Sequence, residues 1–200
     1  MSDQTGFVIW FTGLSGAGKS TLTNALAPVL RDRGTRVEVL DGDAVRTNLS
    51  GGLGFNKEDR DTNILRIGFV ANLLARNGVA VLTAAISPYR GTRDANRMLI
   101  EGDGSAFIET YVAATLAECE ARDVKGLYAE ARAGKRTAFT GVDAPYEPPL
   151  SPEIVVPTGA EGIDASLRRV LGYLELRGLV PLSGTTDLAA NATFAKRGGR

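Results

Sequence analysis

The sequence predicts an α/β fold: a three-layer α/β/α sandwich around a central, mainly parallel five-stranded sheet, with a lid segment. Short β-branched, apolar runs alternate with stretches of helical periodicity along nearly the whole chain. The first run, from Phe7, breaks into Gly13-Leu14-Ser15-Gly16-Ala17-Gly18-Lys19-Ser20, which meets the phosphate-loop pattern G-x-x-x-x-G-K-[ST] at every fixed position. Thr21 follows, and Leu22, Ala25, Leu26 and Val29 then recur at helical spacing. The motif therefore sits between a strand and a helix, as in a P-loop NTPase. The chain of 200 residues fits one domain with a full core, expected over 1–182.

The chemistry of this stretch is specific. A triphosphate needs many donors at close range, and Gly13, Gly16 and Gly18 let successive backbone N–H groups approach it at the positive end of a helix. Lys19 adds a full charge toward the β- and γ-phosphates, and Ser20 offers a hydroxyl to Mg²⁺. ATP and Mg²⁺ are the cofactors this predicts. Composition narrows the rest. Lysine plus arginine and aspartate plus glutamate both number 23, so no net field draws the chain to nucleic acid or an anionic membrane. The single cysteine, Cys119, cannot form an internal disulfide and is expected to pack inside a helix. No apolar run is long enough to span a bilayer and no signal-peptide layout opens the chain, which predicts a cytoplasmic protein. There is no histidine, so any general base is a carboxylate.

Taken in order, the first helix is predicted to stop at Gly34, and residues 35–40 form a second strand with Val37 and Val39 on one face. That strand delivers Asp41-Gly42-Asp43-Ala44-Val45-Arg46 to its carboxyl end, where open parallel sheets bind ligands. Two carboxylates arrive there beside the phosphate loop, suiting a ligand of the Mg²⁺ shell and a base for an incoming hydroxyl; an Asp-Gly turn with a capping aspartate is the plainer alternative. Residues 51–55 read as a glycine-rich loop, and Asn56 as the N-cap of a long helix through Arg76. Asn56-Lys57-Glu58-Asp59 imitates the N-K-x-D guanine motif, but it follows a loop instead of a late strand. Residues 79–84 are an apolar, central strand ending in Ile86-Ser87-Pro88-Tyr89-Arg90 rather than in an aspartate. Ser87 is a turn residue, a substrate contact or a nucleophile.

A helix over 93–101 and a strand over 107–113 follow, and Thr115 with Glu118 predicts a capping box. Five cations between Arg122 and Arg136, flanked by glycines, suit a lid that closes on phosphates. The proline-rich stretch 139–149 is a rigid connector, 154–156 a last strand, and Thr158 with Glu161 is read as the cap of a final helix through Leu176. Residues 183–200 have no periodicity and are expected to form a poorly ordered tail.

The motifs GLSGAGKST, DGDAVR, LGF followed by DR-x-x-N-I, ISPYR, RDVKGLY, ARAG and FTG-x-D-x-PYE, in this order, resemble those of the adenylylsulfate kinases over roughly residues 5–178. The resemblance implies transfer of the γ-phosphoryl group of ATP to the 3′-hydroxyl of adenosine 5′-phosphosulfate (APS), a step of sulfate activation, by a stand-alone, homodimeric enzyme that binds neither nucleic acid nor membrane. It implies Lys19 and Asp43 as catalytic residues, with Ser87 as the site of a phosphoserine intermediate. ATP is held by residues 13–21 (Gly13, Leu14, Ser15, Gly16, Ala17, Gly18, Lys19, Ser20, Thr21) and by lid residues Arg122, Lys125 and Arg136. APS meets Asp43, Arg46, Arg60, Asn63, Ile86, Ser87, Lys125 and Thr140, with its adenine between Phe55 and Phe139. Ser20 and Asp41 serve the metal. Three positions depart from the family pattern: Ala85 for phenylalanine, Val124 for proline and Ala44 for asparagine. Ala85 keeps open an alternative acceptor, another small hydroxyl-bearing nucleotide or sugar.

Overall fold

The computed structural model describes residues 6–182; the predicted tail lies outside them. Five strands form one sheet: β1 (Phe7–Thr12), β2 (Val37–Asp41), β3 (Ala80–Ala84), β4 (Ala106–Val112) and β5 (Ile154–Val156). Their order is β2-β3-β1-β4-β5, and every pairing is parallel. The helices are α1 (Lys19–Asp32), α2 (Gly42–Asn48), α3 (Lys57–Ala75), α4 (Arg90–Gly102), α5 (Leu116–Arg122), α6 (Leu127–Arg132) and α7 (Ile163–Leu176).

β1 is central and buried along its whole length, and its side chains alternate between the two faces of the sheet. Phe7, Ile9 and Phe11 pack in a core with Leu22, Leu26 and Leu30 of α1 and Val170 and Leu174 of α7. Val8 and Trp10 pack on the other face with Ile64, Ile67 and Ala71 of α3 and Ile100 of α4. A parallel sheet needs helices on both faces, because its crossovers put them there. The three layers follow from that, as the sequence predicts.

Several boundaries follow local chemistry. Gly34 stands at φ 80° just past α1, Asn56 Oδ1 accepts from Asp59 N at the start of α3, and Thr115 and Glu118 form both halves of a capping box on α5. Others differ from the sequence-based expectation. Asp41 is the capping aspartate of the plainer alternative, accepting from Asp43 N at 3.0 Å, but what it caps is a short helix and not a turn. α4 begins three residues earlier than expected, directly after Pro88-Tyr89. Thr158 does not cap α7, whose N-cap is Gly162. Its hydroxyl is drawn instead to Ala17 O at 2.7 Å, while Glu161 bonds Arg169 and Ser166.

Candidate active site

All the C-terminal strand ends open on one edge of the sheet, and the phosphate loop occupies its centre. Gly13 sits at φ 147°, and a Cβ there would lie 2.6 Å from Val112 O, so a side chain is excluded on both counts. Gly18, at φ 107°, turns the chain into α1. Lys19 is 8% exposed and its ammonium donates to Gly13 O at 2.9 Å and Leu14 O at 2.7 Å, bridging the loop from within. Burial lowers its pKa from 10.5 to about 8, against smaller opposing effects from Cys119, Asp41 and Asp43. An ammonium held dry in this way gains strongly from an anion brought beside it.

The loop is also braced from outside. Arg122 donates to Gly16 O at 3.2 Å and to Thr158 O at 2.7 Å, and the Tyr128 hydroxyl donates to Ser15 O at 2.9 Å. Cys119 is fully buried against this bracing, and burial pushes its thiol pKa up, which fits packing. Thr158 and Tyr128 carry no local sign of this role in the sequence, because their partners lie more than a hundred residues away.

Two oxygen donors that could take a metal ion lie beside Lys19. Ser20 Oγ donates to Asp41 Oδ2 at 2.7 Å, so a hydroxyl and a carboxylate oxygen converge at the start of α1. Among the described residues no group of three or more His, Cys, Asp or Glu could cage a metal. Two hard oxygen donors without a cage fit Mg²⁺, which keeps waters and relies on phosphate oxygens for much of its shell.

The residues expected on the acceptor side gather around α2 and the start of α3. Asp43 forms an exposed ion pair with Lys125, joining α2 to the lid. Arg46 lies over the Phe55 ring, 4.1 Å from its centroid, and also donates to Leu53 O and Gly54 O. Arg60, 9% exposed, donates to Phe55 O, Thr140 Oγ1 and Ala138 O, stitching the Phe55 and Phe139 segments together. Asn63 is 7% exposed, and among the described residues its Oδ1 has no hydrogen-bond partner. Phe139 is buried edge-on to Tyr128, with centroids 5.0 Å apart, so each of the two rings expected to sandwich an adenine already has a neighbour in the chain.

Other expected groups are not so placed. Arg136 turns to Glu130 within the lid, away from the loop, and Arg132 to Glu120. Ser87 is 1% exposed, its Oγ accepts from Trp10 Nε1 at 3.1 Å, and its own proton points toward Ala85 O at 3.4 Å. That is the arrangement of a turn residue held in position, not of an exposed nucleophile. Ala85 packs beneath α2, near Gly42 and in the same apolar cluster as Val45, so this departure supports the helix carrying Asp43 from behind. Val124 is 85% exposed.

Comparison with known proteins agrees with the geometry. The adenylylsulphate kinase family profile matches residues 5–157. The adenylyl-sulfate kinase of Rippkaea orientalis is 59% identical over 177 residues, covering 86% of this chain and 96% of that one. The structure of the Mycobacterium tuberculosis APS kinase CysC in complex with AMPPNP and APS superposes with a TM-score of 0.82 at 42% identity, covering 86% of this chain and 98% of that one. A hexameric APS kinase from Thiobacillus denitrificans gives a TM-score of 0.69 at 38% identity, covering 90% of this chain and 31% of the larger one. With its strand order, its phosphate loop and its paired aspartates, the chain belongs to the adenylylsulphate kinase family.

Proposed function

We propose that this protein transfers the γ-phosphoryl group of Mg-ATP to the 3′-hydroxyl of APS, giving 3′-phosphoadenylylsulfate and ADP. The observation that carries the reading is the convergence of a buried, phosphate-loop Lys19 with Asp41 and Asp43 at one sheet edge. Kinship at 59% identity with an adenylyl-sulfate kinase supports APS as the acceptor.

In this mechanism residues 13–21 bind the triphosphate through backbone N–H groups, and Lys19 leaves its loop carbonyls for the phosphate oxygens. Ser20 and Asp41 would hold Mg²⁺, which would supply neutralisation of the phosphate charge. Asp43 exchanges its Lys125 partner for the acceptor hydroxyl, orienting it in line and taking its proton at the carboxylate. Lys125 is thereby freed toward the transferring group, and Arg122 keeps the loop closed from outside. Asn63 Oδ1, buried and without a partner, suits a hydroxyl of the acceptor. Phe55 offers a ring face to the adenine once Arg46 turns from it toward the phosphosulfate. Direct in-line transfer needs no covalent step at Ser87, whose burial supports a positioning role.

We also propose a homodimer in the cytoplasm. The exposed apolar side chains of Leu49, just past α2, and of Leu65 and Phe69 on α3 support an association surface, and the need for ATP supports the location. Among the described residues no helix is long and apolar enough to cross a membrane. The functional test is ADP release from Mg-ATP with APS, adenosine 5′-monophosphate and a set of sugars offered separately. Turnover with APS alone is expected; turnover with another acceptor but not APS overturns the assignment.

A further inference from the structure

α4 carries a buried cation that no step of this mechanism uses. Arg93 is 1% exposed, and taking a guanidinium out of water is costly unless its donors find partners. They do, in three directions. Nε donates to Glu109 Oε1 on β4 at 2.6 Å, one Nη donates to Ser87 O at 2.7 Å, and the other donates to Glu147 O at 2.8 Å. Glu109 is held in turn by its place beside Arg97, which forms two 2.7 Å contacts with Glu153.

A pair needed only for stability could satisfy the charge with carboxylate oxygens. Here two arms of the fork reach backbone carbonyls in two loops that are distant in sequence. The same two loops also meet where Glu147 N donates to Pro88 O, Arg90 N donates to Glu147 Oε2 and its guanidinium pairs with that carboxylate at 3.5 Å, and Thr12 Oγ1 bridges Ile86 O and the Tyr146 hydroxyl; of the side chains involved, only Arg93 is a buried charge that bonds both loop backbones directly. Ser87 stands at φ 41°, a left-handed conformation unfavourable for a serine and kept by its surroundings. One of those surroundings is Trp10, the only tryptophan in the chain. The segment ending at Glu147 begins at Phe139, and Arg60 ties its flanking residues Ala138 and Thr140 to the start of α3. None of the side-chain bonds of Arg93 reaches the phosphate loop.

We propose that Arg93 is a positioning residue for the acceptor: its buried fork clips the Ile86–Ser87 turn to the 139–149 segment and so sets the shape of the acceptor pocket without touching the acceptor. The inference rests on the APS-kinase reading above. Its signature is selectivity, because loosening this clip disturbs the acceptor side and leaves nucleotide binding intact.

The test uses the full chain with Arg93→Lys and with the double variant Arg93→Met/Glu109→Leu, which removes both buried charges at similar volume and so avoids a lone buried carboxylate. In both variants the KM for APS is expected to rise about tenfold or more, with the Kd for Mg-ATP within about twofold of wild type. Amide hydrogen exchange is expected to quicken at 86–90 and 145–148 and to stay unchanged at 13–20. A KM for APS within about twofold of wild type in a folded variant, or an equal loss of ATP and APS affinity, overturns the proposal. If wild type itself fails to use APS, the functional reading fails, and the exchange experiment still decides the clip: unchanged protection at both loops overturns it.

Discussion

Lys19 is held in a place that costs folding free energy, and that cost can be measured. Its pKa falls from 10.5 to about 8 because the ammonium is buried under the phosphate loop. At about 1.4 kcal/mol per pH unit, that fall corresponds to about 3 kcal/mol of linkage. The sign follows from which state holds the proton. Between pH 8 and 10.5 the unfolded chain is still protonated at Lys19 while the folded chain is not, so stability gains from rising pH across that window. Below pH 8 both states are charged and the full penalty is present. Replacing Lys19 by Met removes the titration and keeps the shape of the side chain. Urea unfolding of wild type and Lys19→Met, followed by the emission of the fully buried Trp10, gives the difference in stability at each pH. Burial also raises the pKa of Tyr128 and Tyr146, which acts in the opposite sense, but these groups are common to both proteins and nearly cancel in the difference; Cys119, whose thiol is raised by burial and coupled to Lys19, is replaced by alanine in both proteins so that it does not titrate. Wild type is expected to gain about 3 kcal/mol on the variant between pH 7.5 and 10.5, about 6–12 °C in Tm for a domain of this size. A difference that stays flat across this window refutes the claim that folding keeps this ammonium under electrostatic stress.

Other consequences follow from the same geometry. Because a triphosphate restores the charge of Lys19, Mg-ATP binding above pH 8 should take up a proton, seen as a dependence of calorimetric heat on buffer ionisation enthalpy; no buffer dependence contradicts it. Asp43→Asn keeps the α2 cap, which belongs to Asp41, and should lower kcat by about 10²–10⁴ with ATP affinity nearly unchanged; an unaltered kcat removes Asp43 from proton transfer. Gly13→Ala meets Val112 O at 2.6 Å in a backbone region hostile to side chains, and should weaken nucleotide binding by about tenfold or more in direct titration. Thr115→Ala, which breaks the α5 capping box away from the reacting groups, should cost about 1 kcal/mol in denaturant unfolding while leaving kcat intact.

Much of the fold is legible because its signals are local. The glycines of the phosphate loop, the Asn56 cap, the Thr115-Glu118 box and the apolar run of β3 each specify their own few residues, and the structure has them where the pattern predicts. The departures have two causes, partners outside the capping motif and a local cap whose target the motif leaves open. Thr158 and Glu161 have capping spacing, yet Ala17 O claims the first and Arg169 the second. Asp41-Gly42-Asp43 has turn composition, and only the cap supplied by Asp41 makes it a helix. In the site, residue types could be read, but not their present partners. Nothing near Arg46 in the sequence announces that it covers Phe55, nor near Phe139 that it meets Tyr128. Arg93 is the extreme case: in sequence it is one more helix arginine, and its meaning depends on Glu109, Ser87 and Glu147 arriving together.

The most direct test of the central claim follows the phosphoryl group itself. ATP labelled in the γ-phosphate is incubated with Mg²⁺, APS and the protein, and the product is then treated with a 3′-nucleotidase. Label should move to a nucleotide that still bears sulfate and should be released by that enzyme as inorganic phosphate, with Asp43→Asn transferring far more slowly. Label appearing only as free phosphate before nucleotidase treatment, or on an acceptor other than APS when APS is present, contradicts the assignment.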